Sequence, residues 1–335
     1  MSLLRNEISK FCSGSINAIH KIPELKRGNY LVLDIELDGD APKQYIKAYF
    51  FEKNSGKRKK NTNSWPAFIA KTAEKWYPHE SLVEFMINRI GQEMGLRMNE
   101  IKIVRANGQI RFLSKYFLRK HERLIHGAEI CGAYISDIDL ANQIALNKKT
   151  AREFFTFEFI SQAINTVFPY QAELILLELV KMIVFDALVG NNDRHFYNWG
   201  VIDSTLALPH QVKLAPIYDS ARGLLWNQSD ENIKKHFAAH ENGGAFISKY
   251  INSAAPRISI EGNATINHFE LINYVKRQNI EYKKIVLSLS SVEIENKVLM
   301  MLERDFFHFF TPERTALVKI ILSKRFKKIR EELPC

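Results

Sequence analysis

Cysteine is scarce in this chain, and its three residues, Cys12, Cys131 and Cys335, lie far apart with no C-x-x-C pair. That excludes a disulfide framework and a cysteine-based structural zinc site, and it points to a reducing compartment. The first twelve residues carry Arg5, Glu7 and Lys10 and hold no unbroken apolar core, so they do not read as a secretory signal. The expected location is the cytoplasm. Internal repeats and low-complexity tracts are absent. Long apolar runs are missing too: Gln171 to Val189 is apolar around most of a helix, but Glu173, Glu178, Lys181 and Asp186 interrupt it. It therefore reads as a buried helix rather than a membrane span. Acidic residues are in deficit, 37 against 47 lysines and arginines, and the formal charge of +10 favours polyanions, whether nucleotide, nucleic acid or a membrane surface.

What is present supports an enzyme-sized core, since 46% of the 335 residues are apolar. The first hundred residues offer short β-branched and aromatic segments at Tyr30–Leu37, Gln44–Phe51, Ala67–Lys71, Ile101–Arg105 and Ile110–Phe117. Between them, Leu82, Val83, Met86, Ile87, Ile90 and Met94 share one face of a helix over Pro78–Met94, with Gly95 as its stop. After residue 150 the chain reads as helices: a capping box at Thr150–Glu153 opens a run to about Phe168, and Thr311-Pro312 opens the last helix, Ala316 to Glu332. The basic stretch Lys324–Arg330 reads as the solvated face of that helix, and it leaves RNA recognition open. The expected fold class is α+β and bilobal. A small sheet-rich N-lobe (1–117) comes first, a connector runs from Ser114 to Ile125, and a larger helical C-lobe (118–335) follows.

The chemistry concentrates in Gly190-Asn-Asn-Asp-Arg-His-Phe-Tyr-Asn-Trp-Gly200, at the end of the long apolar helix, and in Leu214-Ala-Pro-Ile-Tyr-Asp219. Asp193 is a candidate base for an attacking hydroxyl, while Asn198 and Asp219 supply oxygen ligands for magnesium. Lys71 ends a short strand whose alternation aims it into a cleft, and Glu84 sits off the apolar stripe of the following helix as its partner, with Glu80 as rival. Ser114, Tyr116 and Phe117 are candidate hinge residues for adenine. For the phosphates two segments stay open, Lys53–Ser64 with its single Gly56 and Ser13-Gly14-Ser15. Arg222 to Tyr250, containing Gly243-Gly244, occupies the place of an activation or substrate-binding segment and is expected to be mobile. His121 and His126 lack zinc spacing.

In that order and spacing, the residues from about 60 to 230 resemble the HipA-like kinases, including the shorter CtkA-type members. Their loop reads Gly-Asn-x-Asp-Arg-His-x-x-Asn-Trp-Gly and is followed by Ala-Pro-Ile-x-Asp. The resemblance implies a divergent protein-kinase fold, ATP and Mg2+ as cofactors, and transfer of the γ-phosphate to serine or threonine of proteins. It implies Asp193 as catalytic aspartate, Asn198 and Asp219 as metal ligands, Lys71 as the nucleotide lysine, Glu84 as the helix glutamate and His195 as a structural histidine. Several members are toxins of toxin–antitoxin pairs that phosphorylate aminoacyl-tRNA synthetases, so a protein substrate of that kind and an antitoxin partner are implied as well. Two rival readings remain: a lipid or small-molecule kinase with the same machinery, and a catalytically silent basic protein that binds nucleic acid or a partner.

Overall fold

The computed structural model describes residues 3–35, 43–53, 55–204, 211–239 and 244–331. A short strand β1 (Phe11–Cys12) precedes β2 (Tyr30–Leu33), β3 (Lys43–Ala48) and β4 (Ala67–Lys71); then come β5 (Trp76–Tyr77), helix α1 (His79–Glu93), β6 (Ile101–Ala106) and β7 (Gln109–Lys115). The five longer strands lie side by side in the order β2-β3-β4-β7-β6, every pair antiparallel. Side chains alternate across such a sheet. Ile46, Ala48, Phe68, Ala70 and Leu113 therefore fill a small core on one face with Leu4 and Leu25, while Ile103 and Ile110 join the apolar stripe of α1. β4 spans the residues expected of it, β3 stops at Ala48 rather than Phe51, and the expected strand end at Leu37 lies outside the described residues.

After β7 the chain forms β8 (Glu122–His126), α2 (Gly127–Ile135), α3 (Ile138–Leu146), α4 (Lys148–Phe154), α5 (Phe157–Val167) and α6 (Ala172–Val189). Next come β9 (Gly200–Ser204), β10 (Val212–Leu214), α7 (Asp230–Ala239), α8 (Gly244–Ser253), α9 (His268–Gln278), α10 (Ile280–Leu289), α11 (Val292–Asp305) and α12 (Pro312–Arg330). The expectation of helices alone in this half is corrected by a second sheet, β10-β9-β8, and the connector ends in one of its strands. α6 is buried along most of its length as expected, and among the described residues no helix is long and apolar enough to cross a membrane.

Three further corrections concern helix ends and surfaces. Thr150 is not a cap. Asn147 accepts from the Lys149 and Thr150 amides and opens α4, and Thr156, bridged to Ser259, accepts from Phe159 and opens α5. The described parts of Arg222–Tyr250 include α7 and the start of α8, whose Ile233 and Ile247 are fully buried; Gly243 lies outside the described residues. Finally, Arg325 is not solvated. It is 0% exposed, donates to the Ala187 and Ile251 carbonyls and lies over the Phe269 ring, so the basic C-terminal helix carries a buried cation on its inner side.

The motif glycines have separate structural reasons. Gly190 ends α6 in the left-handed region at φ 69°, the usual glycine stop of a helix. Gly200 faces His126 in the β8–β9 ladder, and a Cβ there would lie 2.2 Å from the Ile125 carbonyl oxygen. Backbone cannot yield as a side-chain end can. Gly200→Ala should therefore lower stability by about 1–3 kcal/mol; an unchanged denaturant midpoint would remove this account of the glycine.

Candidate active site

Lys71 is the joint of the site. Its Nζ lies 2.6 Å from Asp219 Oδ1 and 3.4 Å from Glu84 Oε1, so one ammonium links the sheet, α1 and the segment after β10. The rival carboxylate is engaged elsewhere: Glu80 accepts from the Lys75 and Trp76 amides and ties β5 to the start of α1. Burial lowers the Lys71 pKa, but Asp219 and Glu84 outweigh it and the ammonium is held above its ordinary value. Burial pushes the Glu84 carboxyl up to about 7; Lys71 opposes this and Asp219 adds to it. Burial also raises Asp219, yet Lys71 and Arg194 bring it below its usual value.

The loop and the Asp219 segment are held in register by a residue whose role the sequence reading did not assign. Arg194 forms a two-pronged pair with Asp186 near the end of α6, at 2.8 and 2.9 Å. Its other N–H groups reach the Asn198 carbonyl at 3.0 Å, the Tyr218 carbonyl at 2.5 Å and Ser220 Oγ at 2.6 Å. One guanidinium thus fixes the residues on both sides of Asp219, which itself adopts the left-handed backbone region at φ 53°. Such a conformation costs about 1–3 kcal/mol and persists only where its surroundings over-determine it. Asp186 had a legible signal: a carboxylate on an almost wholly apolar helix needs a buried partner.

Asp193 and Asn198 belong to the same knot. The Asn198 Nδ2 donates to the Asp193 carbonyl at 2.9 Å, and Asn191 Oδ1 accepts from the Asp193 amide at 3.3 Å. With its nitrogen end used, Asn198 has its amide oxygen to offer a cation. His195 accepts from the Tyr197 amide and shapes the turn, and burial lowers its pKa. Among the described residues, no group of three His, Cys, Asp or Glu side chains forms a metal cage. One carboxylate and one amide suit magnesium that arrives with phosphates, because that ion is usually held by one or two protein oxygens with the rest from water and substrate.

The hinge candidates divide. Ser114 is paired on both sides, with Ile69 and Ile101, and its hydroxyl accepts from Asn99, so it is committed to the sheet. The Tyr116 amide donates to the Ala67 carbonyl, which removes it as a free donor. Phe117 packs its ring 5.6 Å from that of Tyr218, beside Asp219. Neither phosphate-loop candidate lies where it was expected. Register sets Lys71 opposite Lys43, so residues 53–64 join the far ends of β3 and β4, and the connection at the Lys71 end is the one from β2 to β3. Residues 36–42 of that connection, and Asn54 of the other, lie outside the described residues. Ser13 is fully buried against His79 and the Trp76 carbonyl, and Gly14 packs on Asp230, so that segment is a structural strap.

Comparison with known proteins gives a family and a fold. The family model described as "HipA-like C-terminal domain" matches residues 35–276. Among solved structures, the chain is similar to the Helicobacter pylori proinflammatory kinase CtkA, with a TM-score of 0.65 and 16% identity over 85% of this chain and 92% of that one. That likeness shows the fold to be kinase-like. HipA of Shewanella oneidensis MR-1, solved with HipB and operator DNA, aligns with a TM-score of 0.48 and 11% identity over 88% of this chain and 65% of that one. No curated protein matches the sequence.

The Asp186–Arg194 pair is nearly solvent-free, with side chains 5% and 4% exposed. Arg194→Met should cost about 3–5 kcal/mol, because it leaves Asp186 as an uncompensated buried charge. Urea unfolding measures this, and a loss below 1 kcal/mol would show that the pair is not the anchor described.

Proposed function

Because the chain belongs to the family of HipA-like C-terminal domains, we propose that it is an ATP- and Mg2+-dependent protein kinase acting on serine or threonine hydroxyls. The observation that carries the reading is the Lys71 bridge between Glu84 and Asp219, with Arg194 tying the Asp193–Asn198 loop to the Asp219 segment. A scaffold that only bound partners would have no need to gather a lysine, two carboxylates, an amide and a base around one cleft.

In this reading residues 1–117 and 118–335 act as the two lobes, and the nucleotide lies between them, with the Phe117 backbone as the remaining adenine contact of the three hinge candidates. Lys71, positioned by Glu84, holds the phosphates, and Asp219 and Asn198 hold the metal. Bound magnesium supplies charge neutralisation across the phosphates. Asp193 orients the acceptor hydroxyl and takes its proton as the hydroxyl oxygen bonds to the γ-phosphorus. The bond from that phosphorus to the β–γ bridging oxygen breaks, and its electron pair leaves with ADP. Most of the acceleration then comes from positioning and fixed charge, as in other phosphoryl transfers.

Asp193→Asn should reduce phosphotransfer by about 10²–10⁴-fold, the range for loss of a general base, with nucleotide affinity largely retained. Asp219→Asn should weaken ATP binding in the presence of magnesium far more than in its absence. Purified protein with radiolabelled ATP, and titration calorimetry with and without magnesium, give both results. Undiminished labelling by Asp193→Asn would refute the assigned base.

A further inference from the structure

Asp193 carries more positive charge than a base needs. Its Oδ1 receives Arg257 Nη2 at 2.7 Å and its Oδ2 pairs with Arg222 Nε at 3.0 Å, and neither arginine belongs to the loop. Two guanidiniums thus grip one carboxylate, one on each oxygen. The loop's own arginine contributes nothing here, since Arg194 is turned inward onto Asp186.

The backbone of Arg257 and the guanidinium of Arg222 are held in place by neighbours other than Asp193. Arg152 donates to the carbonyls of Pro256, Ala264 and Ile266, and Ser259 Oγ donates to the Arg152 carbonyl, so the backbone presenting Arg257 is strapped to α4. Arg222 lies over the Trp226 ring, 5.4 Å from its centroid. Each guanidinium has five N–H donors, and each spends one group on Asp193. The Nε of Arg257 is buried without a partner. A buried donor with no acceptor is costly and calls for an explanation. Preorganised donors in surplus beside a phosphoryl-transfer base describe a site shaped for an anion with several oxygens, and planar guanidinium forks match phosphate oxygens.

We propose that Arg222 and Arg257 are catalytic residues that clamp the phosphoryl group during transfer, each keeping one N–H group on Asp193 and directing its remaining donors to the equatorial oxygens. The inference rests on the phosphotransfer reading above. The step needs no proton from either arginine: the acceptor oxygen–phosphorus bond forms, the bridging bond breaks with its pair leaving on ADP, and the hydroxyl proton goes to Asp193. Negative charge spread over the three equatorial oxygens in the transition state is what the clamp opposes, so its contribution is larger there than in the ground state.

Calorimetry with ADP and magnesium, in the absence and presence of aluminium fluoride as a mimic of the planar phosphoryl group, tests the clamp. Wild type should bind ADP more tightly with the fluoride. Arg257→Ala and Arg222→Ala should each lose about 10²-fold of that gain, the scale for removing one donor to a developing oxyanion, with ADP affinity alone unchanged. Arg257→Lys should recover part of it, and that variant carries the test if the alanine form does not fold. Slow transfer of phosphate from ATP to water should fall in parallel with transfer to protein. A fluoride-dependent gain that survives in the folded variants overturns the clamp, and wild-type transfer intact beside it leaves the kinase reading standing. A rise only in the KM for the protein acceptor, with transfer to water untouched, also overturns it, because the arginines then read the acceptor. Wild type with no ATP turnover at all removes the kinase reading and the clamp together.

Discussion

The site depends on a buried ion pair that would itself touch no substrate. Arg194 and Asp186 are both nearly inaccessible, and a guanidinium in such a place is stable only if its donors are satisfied. It satisfies them on the carboxylate of α6, the carbonyls of Asn198 and Tyr218, and the hydroxyl of Ser220. Two segments separated in sequence thereby share one rigid centre. The strained backbone at Asp219 is a consequence of that centre, because the residues on either side are pinned before its own torsion angles are chosen.

Lys71 performs the complementary task between the sheet-rich and the helical parts. Asp219 is 38% exposed on its side chain and Lys71 only 16%, so the bridge is open to solvent on its Asp219 side. Glu84 lies further in, and its raised pKa follows from that burial before any partner is considered. A second tie joins the same parts. Ser13 and His79 hold the start of α1, and Asp230, which meets His79 at 3.7 Å, is paired with the buried Arg314 of α12. Helix α1 is thus positioned at its first turn by the C-terminal helices and along its length by the core, which sets where Glu84 lies.

Charge explains why the arginines around Asp193 were not legible beforehand. Arg222 follows Asp219 closely, but nothing in its local pattern separates it from a solvated arginine, and Arg257 lies in an irregular segment with no periodicity to give it a direction. Arg325 was misread for a related reason. Its neighbours Lys324, Lys327 and Lys328 make the stretch look solvated, whereas position 325 falls on the inward side of α12 between Leu322 and Phe326, both buried. The helix break at Phe155 was missed because Thr150-Ala-Arg-Glu153 matches a capping box, yet Asn147 reaches the first free amides earlier and Thr156 is drawn out by Ser259.

By itself the sequence determined the features that local rules govern: the strand carrying Lys71, the helix carrying Glu84, the glycine stop before the Asp193 loop, and the α+β division of a kinase-like chain. Periodicity, capping and turn chemistry act over a few residues, and they can be read over a few residues. The choice of Glu84 over Glu80, the withdrawal of Ser114 and Tyr116 into sheet hydrogen bonds, the second small sheet, and the convergence of Arg222 and Arg257 on Asp193 were decided by tertiary structure. Each depends on which distant donor meets which acceptor, and that is settled only when burial forces every buried charge and amide to find a partner.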